Sequence, residues 1–234
     1  MDLLRGLSIL QMVAYHFCYD LNHFGWIHAA MTREPGWIAW RTLIVTQFLF
    51  VAGVTMVLAH DGQSRPALSR RWWQIAGCAA LVSAASALLF GPRWIWFGVL
   101  HFVAVSQLLL RPMLRLGGYN LLAGFVVLAL GLGVSLTAFA PDALSWIGFS
   151  PVKPRTEDFV PLLPWLGVVL LGMGAGSLWH ASRAPAAQAL RRIEGSTWAL
   201  PQLLGRWPLT IYMLHQPLLF AVFESLRRLG LGPG

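Results

Sequence analysis

RGLSILQMVAYHFCYDL, residues 5–21, is an apolar, helix-forming run that carries Arg5, His16 and Asp20. In water those three side chains would simply be solvated. In a bilayer each is expensive, and each must face protein or a hydrated cavity. The solvent in which this stretch folds therefore decides the fold.

Composition identifies that solvent. Hydrophobic residues make up 57% of the 234-residue chain and charged residues only 11%, with a mean hydropathy of +0.63, more than one water-soluble core requires. Apolar runs near the roughly 20 residues needed to cross a bilayer recur along the chain. Seven are expected, at about 3–21, 38–59, 72–91, 94–111, 118–139, 159–179 and 209–226. The connections are too short to house a soluble domain, so the expectation is one all-α, polytopic membrane bundle over 1–234. The alternation of a membrane β-barrel is absent. Gly172 and Gly176 give the sixth span a small-xxx-small spacing at which two backbones can approach, and a homodimer is allowed for.

Arginine and lysine are distributed unevenly between the spans. The connections after spans two, four and six, with Arg5, carry ten, against six on the other side. That bias predicts a cytoplasmic N-terminus and an external C-terminus in the plasma (inner) membrane. The net charge of +8 follows from arginine beside anionic lipid, and no nucleic-acid partner is expected. Cys18 and Cys78 fall inside spans and read as small apolar residues with no disulfide framework. The first span outruns a signal-peptide core and lacks a small-residue cleavage site, so it reads as a retained anchor. Residues 184–200 read as a short surface helix leading to Pro201 and the last span. Most of the twelve tryptophans suit the membrane–water interface.

His16 and Asp20 are four residues apart, hence on one helical face, and a carboxylate there would hold one imidazole nitrogen protonated while the other takes a proton. Such a dyad is a candidate general base. Arg5 lies about 16 Å before His16 at 1.5 Å per residue, toward the cytoplasmic end. His101, in the outer part of the fourth span, is expected to share a cavity with His16 and Asp20. In the last span His215 and Gln216 precede Pro217, which frees a backbone carbonyl. No metal is expected.

Arg5 and His16 form an R-x10-H pattern in a first helix beginning DLLRGLSIL, which resembles the opening of the acyltransferase family 3 membrane proteins. GRWPLTIYMLHQPLL is similar to the last-span signature of the same superfamily. Within it, DLLRGLSILQMVAYHFCYDLNHFGW, IWFGVLHFVAVSQ, VPLLPWLGVVLLGMGAG and LGRWPLTIYMLHQPLLF resemble, in order over about 2–222, the bacterial branch related to heparan-α-glucosaminide N-acetyltransferase. The resemblance implies transfer of an acetyl group from cytoplasmic acetyl-CoA to a sugar or glycan acceptor at or beyond the outer face. It implies a CoA-binding end with Arg5, Arg206, His215 and Gln216, and His16, Asp20 and His101 as catalytic candidates. The lysosomal animal enzyme of the family carries Asn where this chain has His16, and its acetyl-transfer histidine lies in the loop after the first span. The nearest equivalent here is His28, or less well His23, so His28 stands beside His16, which is favoured for having Asp20 as its partner and for completing R-x10-H. A small transporter or flippase, and a membrane cytochrome with haem held by two of the intramembrane histidines, are the rival classes.

Overall fold

A computed structural model describes residues 1–62, 64–181 and 199–233. Among these residues the chain is helical with no named strand. The helices are α1 (Asp2–His23), α2 (Pro35–Gly62), α3 (Arg65–Phe90), α4 (Val99–Leu109), α5 (Asn120–Gly133), α6 (Asp142–Ser145), α7 (Leu162–Ala181), α8 (Ala199–Arg206) and α9 (Pro208–Arg228). The protein is thus an all-α, polytopic membrane protein. The surface helix expected over 184–200 lies almost entirely outside the described residues.

Among the described residues five helical stretches are long and apolar enough to cross a bilayer: Pro35–His60, Pro66–Arg93, Pro112–Gly133, Leu162–Ala181 and Pro208–Arg228. Two of the seven expected spans differ. α1 has the length, 22 residues, but Asp2, Arg5, His16 and Asp20 keep it out of the set defined by hydropathy. α4 has only 11 residues, about 16 Å at the α-helical rise, roughly half a hydrocarbon core. Its expected first turn is extended instead: residues around Phe97 pair with the chain around Phe159, where the Val160 N–H donates to the Phe97 carbonyl at 3.3 Å.

The chain divides into two compact units, one of residues 1–48 and 184–234 and the other of residues 49–183, with α2 contributing to both. In the first unit, Ile9, Met12 and Tyr15 of α1 recur at helical spacing and bury with Met31 and Ile44; Leu204, Ile211 and Tyr212 pack against them. α1 and α8 cross with backbones nearly touching. A Cβ on Gly6 would fall on the Pro201 carbonyl, and one on Gly205 on the Asp2 carbonyl. Trp207 leaves helical geometry and Pro208 starts α9 at the position where a missing N–H costs nothing.

In the second unit α7 is the central helix, burying Val168, Val169, Leu170 and Met173. The small-residue spacing read in its sequence meets α2 there: Gly172 faces the Phe50 backbone, and a Cβ on Gly176 would stand 3.1 Å from Val54 Cα.

Candidate functional site

In the first unit α1 and α9 bring four polar side chains together. The His16 and His215 rings meet edge to face with centroids 4.8 Å apart. Gln216 Nε2 donates to Asp20 Oδ1 at 2.8 Å. Each histidine is pinned to its own helix: His16 Nδ1–H donates to the Met12 carbonyl at 2.9 Å, and His215 Nδ1–H to the Tyr212 carbonyl at 2.8 Å. A neutral imidazole whose Nδ1 bears the hydrogen presents a lone pair on Nε2. The His215 Nε2 is buried and has no hydrogen-bond partner among the described residues. The cluster thus holds two imidazoles in edge-to-face contact, each giving Nδ1–H to a carbonyl and keeping Nε2 as its basic nitrogen.

This corrects the expected dyad. His16 and Asp20 do share a face of α1, but the carboxyl reaches across to α9 and a backbone carbonyl, not Asp20, fixes the His16 tautomer. A four-residue spacing permits a pair without requiring it, and the carboxamide one helix away is the better-placed donor. His215 and Gln216, expected at the CoA end, lie instead beside His16 and Asp20.

His101 belongs to the second unit and is committed at both nitrogens. The Ser83 hydroxyl donates to the Ile95 carbonyl at 2.7 Å, so its oxygen accepts from His101 Nε2–H at 3.0 Å. The Gly98 N–H donates to His101 Nδ1 at 3.2 Å, half of a capping box at the start of α4. Asp158 completes that start, its Oδ2 accepting from the Val99 N–H at 2.8 Å. In this arrangement both nitrogens of His101, expected to be catalytic, are engaged in bonds that hold the start of α4.

The two ends of α1 differ in chemistry. At the N-terminal end Arg5 pairs with Asp2 at 3.2 Å and its Nη1 donates to the Gly205 carbonyl at 3.3 Å. Among the described residues two donors there are buried and unpartnered, Arg5 Nε and Gln202 Nε2. Arg206 is exposed at the end of α8. Gln202 was missed in the sequence because nothing distinguishes a lone glutamine on a short helix until its neighbours are known. At the C-terminal end a cleft of ≈ 550 Å³ is lined by His23, Phe24, His28, Phe220, Glu224 and Arg227 among others. Phe24 stacks on Phe223 at 5.5 Å, and Arg227 and Arg228 both bind Glu224 at 2.8 Å. His28 therefore lies in an open cleft, in a loop held by the Ala29 N–H donating to Asn22 Oδ1 at 2.7 Å.

A bundle of membrane-spanning helices with a buried polar cluster on α1 and α9 defines a polytopic membrane protein with a candidate reaction centre among its helices. The chain belongs to the family described as heparan-alpha-glucosaminide N-acetyltransferase, catalytic, whose model matches residues 1–217. It is in that sense a membrane acetyltransferase, and the matched span takes in every residue of the cluster. No curated protein and no solved structure matches the chain.

Proposed function

We propose that the protein transfers an acetyl group from acetyl-CoA, supplied on the cytoplasmic side, to a sugar or glycan acceptor on the opposite side of the plasma (inner) membrane. The observation that carries this reading is the facing pair His16 and His215 with Nδ1–H of each pinned to a carbonyl, a preorganised source of basic nitrogen. Acetyl-CoA supplies the acetyl group already activated as a thioester.

The unpartnered donors Arg5 Nε and Gln202 Nε2 fit that donor molecule, since phosphate and amide oxygens are the acceptors such groups lack. Arg5 and Gln202, with exposed Arg206, hold its polar end at the start of α1. His16 lies about 16 Å further along, and the His23–His28 cleft begins about 10 Å beyond it at the helical rise. Donor and acceptor thus approach His16 from opposite ends of one helix. His16 Nε2 takes the proton from the acceptor nitrogen or oxygen as that atom bonds to the acetyl carbon and the carbon–sulfur bond breaks. CoA leaves as its thiolate and takes the proton back from the His16 imidazolium as free thiol, while His215 abuts the His16 ring edge to face and His28 lines the acceptor's cleft. The arginine bias of the sequence supports the cytoplasmic placement of the N-terminus.

The test is release of free CoA thiol by purified protein in detergent. Acetyl-CoA with glucosamine or a glucosamine-bearing glycan is expected to yield thiol and acetylated sugar in equal amounts. Binding of the sugar with no thiol release would favour a transporter.

A further inference from the structure

Asp20 is 1% exposed, and its hydrogen-bond partner across the helix pair is the uncharged carboxamide of Gln216. Within about two turns of the pair the charged groups and histidines are His16 and His23 on α1 and His215 and Glu224 on α9, while the neighbouring part of α2 carries Arg41 and α8 carries Arg206. None is hydrogen-bonded to it: both cluster histidines give their Nδ1–H to their own helices, and Glu224 is held by Arg227 and Arg228.

Among the described residues the pair leaves two atoms buried and unpartnered, Asp20 Oδ2 and Gln216 Oε1. With Asp20 ionised both are acceptors, so neither can satisfy the other, and a charge stands where the surroundings are driest. A single proton removes both difficulties. A carboxylic acid has one O–H donor and retains acceptor capacity, and a primary carboxamide offers the reverse set, N–H and C=O. The two orphaned atoms are the two that such a proton would join.

We propose that Asp20 is held as a neutral carboxylic acid whose Oδ2–H donates to Gln216 Oε1, closing a two-bond acid–amide ring between α1 and α9. The ring makes Asp20 and Gln216 positioning residues. Two bonds between planar groups fix the rotation of α9 against α1, where one bond would leave a pivot. Gln216 adjoins His215 and Asp20 is one turn beyond His16, so the ring sets the approach of the two imidazoles. Holding its own proton, Asp20 also places no negative charge beside them. The ring stands on the hydrogen bond and the two orphaned atoms, and its truth does not depend on the acetyl-transfer reading.

Infrared difference spectroscopy of the full chain in detergent at neutral pH tests it. Asp20→Asn preserves both bonds of the ring as an amide–amide pair, so the variant is expected to fold with an unchanged Tm. The wild-type-minus-variant spectrum should contain a protonated-carboxyl C=O band that shifts in D2O. Carboxylate bands in its place, or failure of Asp20→Asn to fold, overturn the proposal. Gln216→Leu removes the ring's other half, and the same acid band is expected to move because its hydroxyl has lost its acceptor. A band that stays put in Gln216→Leu equally overturns it.

Discussion

At the scale of single residues, the bonds of a histidine say more about its part than its depth in the membrane does. His101 gives one nitrogen to Ser83 and takes the Gly98 N–H with the other, so it organises the entry to α4. His101→Ala should therefore leave those partners unmet, costing about 1–3 kcal/mol, seen as a lower Tm in detergent, while turnover by the protein that remains folded changes less than about threefold. A loss of turnover with Tm unchanged would return His101 to the chemistry. The sequence showed which side chains were costly to bury, because an ionisable group in an apolar helix is visible as such. It could not show their partners. Asp20 faces the same side of α1 as His16, yet pairs 196 positions away with Gln216, a choice made by the packing of α9 and absent from any local pattern.

Elements are set by hydropathy where helices are long and by backbone contacts where they are close. The spans of α2, α3, α5, α7 and α9 were legible because length and apolar content both point to a membrane. The start of α4 was not: WIWF is as apolar as a helix core, but hydropathy reports transfer into an apolar phase and is silent on backbone form, and here that stretch pairs with residues near Phe159. The α1–α8 crossing was equally hidden, since Gly6 and Gly205 reveal their purpose only when a Cβ at either would meet backbone. Gly205→Val should force α8 off α1, lowering stability by about 1–3 kcal/mol or more and raising the KM for acetyl-CoA, because Arg5 and Gln202 lie at that crossing. Gly77 on α3 has open space where a Cβ would stand, and Gly77→Ala should stay within about 0.5 kcal/mol of the parent. Equal thermal melts for the two variants would show that the crossing is not close in solution.

For the molecule as a whole, membership of a membrane acetyltransferase family was foreseeable from blocks that fall in order along the chain, while the roles proposed for individual residues rest on how α1 and α9 meet. Central to the proposed reaction is that His16, facing His215 between the two ends of α1, is the base. Removing a general base costs about 10²–10⁴ in rate, whereas a residue that only lines the acceptor cleft acts mainly on acceptor KM. The decisive measurement is CoA-thiol release at saturating acetyl-CoA and acceptor by His16→Ala and His28→Ala, each confirmed folded by its melt and by acetyl-CoA binding. His16→Ala is predicted to lose at least about a hundredfold in kcat with acetyl-CoA affinity retained, and His28→Ala to keep kcat within about threefold while acceptor KM rises. A dead His28→Ala beside a His16→Ala that turns over normally, or is merely less stable, would contradict the assignment and move the chemistry to the loop.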